Sequence, residues 1–240
     1  MYLVLPLLLS SLAQAKTLTV AVIDTGIDVR TANLCRFGHK SFAKDLPNPL
    51  NDENGHGTHI SGLINQNAHS GDFCLVAIKY YSDAYSGVQN LANFRKAIQY
   101  ALNIKVDFIN FSGGGGALDL GEKATINKLL DRGTTIVVAA GNEQSDLDER
   151  CDFFPACDDK RLIVVGNMCE LDDEDCAWTD SSHTMRRSPS SNFGAYVTRW
   201  EMGNNVESTL PGGRKGRMTG TSQAAAIATG KLIRERLDVR

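Results

Sequence analysis

From Thr17 onward the chain alternates short, nearly unbroken apolar runs with longer segments of helical period, and this alternation constrains its fold more than any other feature. TLTVAVID (17–24), CLVAIKYY (74–81), VDFINFS (106–112), TTIVVAAG (134–141) and RLIVVGN (161–167) read as strands buried on both faces. GHGTHISGLIN (55–65) reads as a helix entered through glycines. GVQNLANFRKAIQYALN (87–103) is amphipathic, with Leu91, Phe94, Ala97, Ile98, Ala101 and Leu102 on one face. LGEKATINKLLDRG (120–133) reads as a helix closed by Gly133, and a last helix begins near Ser222 and runs to about Arg236. Buried strands alternating with helices predict an α/β fold, a three-layer doubly wound and mainly parallel sheet. Ligands of such sheets bind beyond the carboxyl ends of the strands. Asp24, Ser112 to Gly116 and Gly141-Asn142 fall at strand ends and His56 at a helix start, so four polar features converge on one edge.

The 240 residues, 42% of them hydrophobic, suit one domain with a substantial core. A net charge of −3 gives no reason to expect a nucleic-acid partner. The opening MYLVLPLLLSSLAQA (1–15) has an apolar run and the small-x-small ending Ala13-Gln14-Ala15 of a secretory leader, with cleavage expected before Lys16. The basic residues that usually open such a leader are missing, and an ordinary buried strand is the competing reading. The run is too short to span a bilayer, so no membrane association is expected once it is removed. Residues 16–240 then form the working domain.

Six cysteines agree with export to an oxidising compartment. Proximity suggests Cys151 with Cys157 and Cys169 with Cys176, leaving Cys35 with Cys74, which is one of fifteen possible pairings. The competing zinc reading lacks a Cys-x2-Cys spacing.

TGTSQAAAIATGK (219–231) sets Ser222 at the mouth of an alanine-rich helix. Serine there is an ordinary N-cap, or a nucleophile at a helix N-terminus with room for a substrate. The second reading needs a histidine, a carboxylate and an oxyanion donor elsewhere. AVIDTGID supplies Asp24, NGHGTHISG supplies His56 and VVAAGNE supplies Asn142. Ser222 would attack a carbonyl carbon, His56 would take and return the proton, and Asp24 would hold the imidazole. Asn142 and the Ser222 backbone N–H would donate to the oxyanion. Taken singly, Asp24 is also a turn former, His56 a capping residue and Asn142 an Asx-turn residue. His56 and His59 three apart also suggest a metal, but the Glu of H-E-x-x-H and a clear third ligand are missing, so no metal site is assigned. His59 is expected to pack behind His56, and His39, His69 and His183 receive no role.

These segments, in the order Asp, His, Asn, Ser, resemble the subtilisin-like serine proteases, or subtilases, from about Thr17 to Gly230. SNFG (191–194), VESTLPG (206–212) and NFSGGGG (110–116) resemble further stretches of that family. The resemblance implies a serine endopeptidase with catalytic Asp24, His56 and Ser222, oxyanion residue Asn142, and polypeptide substrates. It implies that Ser112, Gly113 and Gly114 form one side of the primary specificity pocket and Ala139, Ala140 and Gly141 the other. DFFPAC resembles the floor of that pocket, where Phe153 and Phe154 would narrow it and favour small or medium apolar side chains, although nearby acids could favour basic ones.

The chain departs from the family pattern in four places. Lys16 leads straight into the first strand where a propeptide is usual, and the chain stops about ten residues beyond Gly230. Gln223 follows the serine where Met is commoner, and is expected to point away from substrate. INQNAHSGDF is too short for the family's tight calcium loop, so no cofactor is expected, and a weaker calcium site in the acidic stretch Glu143 to Asp175 is the only one left open. The expectation is a secreted, monomeric endopeptidase. A catalytically silent peptide-binding module and an esterase using the same triad are the alternatives.

Overall fold

The apolar runs become the central sheet of the computed structural model, which describes residues 16–69, 71–116, 118–170 and 185–239. The expected leader, Cys176 and His183 lie outside those residues. In chain order the elements are β1 (Leu18–Asp24), β2 (Lys40–Ser41), α1 (His56–Ala68), β3 (Phe73–Lys79), α2 (Gly87–Ile104), β4 (Phe108–Phe111) and α3 (Leu120–Asp131). They continue with β5 (Thr135–Ala139), β6 (Ile163–Glu170), β7 (Met185–Arg187), β8 (Arg199–Met202), β9 (Val206–Leu210), β10 (Arg214–Met218) and α4 (Thr221–Asp238). The sheet order is β2-β3-β1-β4-β5-β6-β7, with β8 also on β6. Every pair is parallel except β6 with β7, and β9 and β10 form a separate antiparallel hairpin.

Alternate residues of each strand enter different cores, as a period of two requires. Ala21 and Ile23 of β1 join Phe94, Ala97, Ile98, Ile126 and Leu129 of α2 and α3. Val20 and Val22 face the other way, onto Ile60, Leu63 and Ile64 of α1. Ala224, Ala225 and Ala228 of α4 pack on Val137, Ala139 and Val165. Helices thus cover both faces in three layers. The small alanines bring α4 close to the sheet, and this close approach sets where its N-terminus lies.

Helix ends follow their local chemistry. Ser86 and Gln89 form a complete capping box at α2. After α3, Gly133 N–H donates to Leu130 O and Thr134 N–H to Leu129 O, a Schellman closure on the glycine expected there. Disulfides join Cys35 to Cys74 and Cys151 to Cys157. Cys169 is also disulfide-bonded, and its expected partner is outside the described residues. No helix among the described residues is long and apolar enough to cross a membrane.

The chain reverses its direction of winding at β1. It goes from β1 to β3 on one side, then through α2 to β4 on the other. A crevice opens beyond the carboxyl ends of β1 and β4 at such a point.

Candidate active site

Asp24 is the last residue of β1, and His56 is the first of α1. Gly57 lets these two units close on each other, because a Cβ there would lie 2.1 Å from the Gly26 carbonyl oxygen. The Asp24 carboxylate is buried and sits 2.8 Å from His56 Nδ1, and the same oxygen accepts from the Thr25 N–H at 2.8 Å. Burial disfavours the His56 imidazolium, but the charge and hydrogen bond of Asp24, helped by Asp52, outweigh it. The histidine therefore titrates above its ordinary value.

Asp52 ties this corner together. It accepts from Thr25 Oγ1 (2.8 Å), Gly55 N–H (2.9 Å), Thr58 N–H (2.8 Å) and Thr58 Oγ1 (2.6 Å). Thr25 Oγ1 in turn accepts from Gly57 N–H at 3.0 Å. The first turn of α1 is thereby fixed to the turn after β1, and His56 with it. Lys79, buried at the end of β3, braces the same loop through Asn51 O (2.8 Å) and Glu53 (2.6 Å). Neither residue is legible in the sequence, since an Asp in NDENG and a Lys after an apolar run carry no local signal.

Ser222 stands in the first turn of α4, whose N-cap is Gly220, so its hydroxyl does not serve as the cap. Its backbone N–H belongs to the set that a helix start leaves without helical acceptors. The hydroxyl donates to Ser112 O at 3.0 Å, and Ser112 Oγ donates to Ser222 O at 3.1 Å. Behind Ser112 the buried Asn110 donates to Ser112 Oγ (2.9 Å) and accepts from Thr229 Oγ1 (2.9 Å). This chain of bonds crosses from β4 into α4. Asn142 is exposed beside the same turn, where its Oδ1 accepts from Thr221 N–H at 3.0 Å. That contact leaves the Nδ2 branch for another acceptor.

A cavity of about 310 Å³ is lined by Asp24, His56, Ser112, Gly113 and Gly114, among others. Ala139 and Ala140 are buried in the core and are not among the residues that line it. The Ala140 N–H donates to Val165 O (3.0 Å) and its carbonyl accepts from Asn192 Nδ2 (2.8 Å). The expected specificity residues are therefore divided, with Ser112 to Gly114 lining the cavity and the buried Ala139, Ala140 and Gly141 outside its lining. Phe153 occupies the space between the two sides. A Cβ on Gly114 would fall 2.4 Å from its ring, and one on Gly141 would fall 3.0 Å away. Gly115 and Phe154 exchange backbone hydrogen bonds of 3.0 and 2.8 Å, which hold the loop closed by Cys151 and Cys157 against this segment.

His59 is fully buried behind His56, with Nε2 3.2 Å from Gly216 O and its titration lowered by burial. Gln223 is buried too and turns toward Met218 Sδ at 3.7 Å. The INQNAHSGDF stretch is helix to Ala68, and β3 begins at Phe73.

The sequence model of the subtilase family matches residues 15–234. The chain belongs to the subtilase family. Membership puts this subtilase in a class of serine endopeptidases, hydrolases of peptide bonds. It is 33% identical to the major intracellular serine protease of Bacillus subtilis (strain 168), over 91% of this chain and 68% of that protein. It is 31% identical to subtilisin E of the same organism, over 88% of this chain but only 53% of the relative, about half its length. Two solved structures share the fold. A cold adapted subtilisin-like serine proteinase superposes with a TM-score of 0.71 at 24% identity, covering 92% of this chain and 76% of the other. A lanthipeptide protease gives 0.72 at 22%, covering 91% and 74%.

Proposed function

We propose that this subtilase is an exported serine endopeptidase that works through Asp24, His56 and Ser222, with Asn142 assisting at the oxyanion. The observation that carries the reading is the 2.8 Å bond between His56 Nδ1 and a buried Asp24 carboxylate, in a cavity also lined by Ser112, which exchanges hydrogen bonds with Ser222. Asp24 fixes the tautomer that leaves Nε2 free to accept a proton. The Ser222 hydroxyl turns from Ser112 O toward His56, gives its proton to Nε2 and attacks the scissile carbonyl carbon. The carbonyl oxygen becomes an oxyanion that accepts from Asn142 Nδ2 and the Ser222 N–H. As the carbon–nitrogen bond breaks, His56 returns the proton to the departing amine and an acyl-enzyme remains. Water, deprotonated by His56, then releases the acid and restores Ser222. No cofactor enters these steps.

Phe153 bears on the choice of substrate. With its ring between Gly114 and Gly141, a small side chain at the cleaved residue fits and a large one meets the ring. The leader pattern at 1–15 and the disulfides support export, to a setting where the enzyme acts on polypeptides as a monomer.

Fluorophosphonate labelling of the purified protein, beside a Ser222→Ala control, tests the reading. Labelling lost in the control is the expected result. One observation favours the catalytically silent binding module, namely that the Ser222 hydroxyl is bonded to Ser112 O. A folded sample that takes no label would select that reading.

A further inference from the structure

A cavity of about 420 Å³ lies between the first turns of α2 and α3, with Gly114 to Gly116 on its lip. Its walls include Tyr80, Phe94, Phe111 and Phe154. The first three form one aromatic cluster, with Tyr80 edge-on to Phe94 and Phe111, and Phe94 stacked on Phe111. Glu122 also lines the cavity, yet only 2% of the residue is exposed. A carboxyl group in such aromatic surroundings calls for a partner.

Local structure supplies none. Glu122 is the third residue of α3, where a capping box would fold its side chain back on the N-cap. Gln89 does so at α2. At α3 only half of the box forms, with Asp119 accepting from the Glu122 N–H at 2.8 Å. Nothing among the described residues hydrogen-bonds the Glu122 carboxyl group, which is left to the cavity. Arg95, the nearby cation, is paired with Asp119. Burial, reinforced by the Asp158 carboxyl, pushes Glu122 up to about 8 against the pull of Arg95. Asp158 is itself buried with both oxygens unpartnered, and Lys123 lies near it. The site is thus an aromatic slot with excess acid at its base. A long aliphatic stem bearing a cation suits both parts, through stem burial, cation–π contact and an ion pair at the end.

We propose that Glu122 is a specificity-determining residue, which makes this cavity select a lysine or arginine side chain on a substrate residue upstream of the cleaved bond. The proposal rests on the peptidase reading, in which Ser112 to Gly114 border the pocket of the cleaved residue; Gly114, Tyr80 and Tyr81 line both that cavity and this one. Exposed Val88 at the rim would cover part of the stem.

The test is a binding titration on the Ser222→Ala protein, so it does not depend on turnover. Acetylated hexapeptides ending in alanine carry arginine, its uncharged isostere citrulline, or leucine at each upstream position in turn. At one position arginine should bind at least about tenfold more tightly than citrulline or leucine. Glu122→Gln in the same background should abolish that advantage and leave the leucine peptide unchanged, and Glu122→Asp should keep a weakened preference. Equal affinity for arginine and citrulline at every position would overturn the proposal, and that comparison needs no variant at Glu122. A preference that survives Glu122→Gln, or no binding by any peptide, would overturn it too. Failure of the peptidase reading shows separately, as absent fluorophosphonate labelling of the wild-type protein.

Discussion

Replacing Phe153 by alanine should convert a closed specificity pocket into an open one. The ring lies so near Gly114 that a Cβ there would sit 2.4 Å from two of its atoms, so it fills the slot a large substrate side chain would need. Alanine at 153 removes the ring while the surrounding loop stays fixed by the Cys151–Cys157 bridge and the Gly115–Phe154 backbone pair. Burying a leucine or phenylalanine side chain in the vacated space should stabilise the transition state by about 1.5–3 kcal/mol. That corresponds to a gain of roughly 10- to 150-fold in kcat/KM. A substrate with alanine at the cleaved residue never reaches the slot and should change little. The assay is kcat/KM on peptide anilides that differ only in the cleaved residue (alanine, leucine or phenylalanine). Thermal unfolding run in parallel would separate a loss of fold from a change of selectivity, since truncating the half-buried Phe153 costs part of the roughly 3–5 kcal/mol that a fully buried phenylalanine contributes. If the wild-type enzyme turns over phenylalanine substrates as well as alanine ones, the ring is no rigid wall and the reasoning fails. An unchanged selectivity ratio in Phe153→Ala refutes it equally.

Other expectations follow from the same geometry. The proposed mechanism needs neutral His56, so kcat/KM should rise with pH through a midpoint above the ordinary 6.5. In Asp24→Asn that midpoint should move down and kcat should fall by about 10⁴-fold, and a wild-type midpoint at or below the ordinary value would contradict the pairing. Asn142→Ala should lower kcat by about 10²–10³-fold with little change in KM, and equal losses in binding and turnover would argue against an oxyanion role. Asp52→Ala strands donors from Thr25, Gly55 and Thr58, and denaturant unfolding should report a loss of about 3 kcal/mol or more. Folded Glu122 keeps its proton to about pH 8, whereas the unfolded chain loses it near 4.5. Stability should therefore fall as pH rises across that window, by up to about 1.4 kcal/mol per unit. Glu122→Gln should remove this share, so a variant no more stable than wild type at alkaline pH would count against a buried, unpartnered carboxyl.

What the sequence discloses of the fold divides along a physical line. β1, β3, β5 and β6 are legible because a parallel strand covered on both faces must be a continuous apolar run. β2 has two residues, and RWEM and RKGRM in β8 and β10 have no such run. Those strands exist because a distant backbone offers a partner, which no local pattern records. The helices are legible for the complementary reason that their apolar faces have a period of their own, and Gly133 marks an end because only a left-handed residue closes it cheaply.

The site divides in the same way. Asp24, His56, Asn142 and Ser222 stand out because each sits where a strand or helix begins or ends, within two residues of a glycine. Asp52, Asn110 and Glu122 do not, because burial alone gives them their meaning. Asp52 in NDENG reads as a solvated loop acid, and Glu122 reads as an ordinary acid in the first turn of a helix, where the dipole favours it. Only the folded chain turns one of them inward to bind four donors and leaves the other without any. Three of these conspicuous residues also come from two separate units. Thr25 and Asp52 join β1 to α1, carrying Asp24 and His56, while Asn110 and Thr229 join β4 to α4, carrying Ser222. Nothing in either unit's sequence fixes its distance from the other. That distance depends on β1 and β4 being neighbours at the point where the winding reverses, and so on the packing of Val22 and Ile23 as much as on the residues proposed to perform the chemistry.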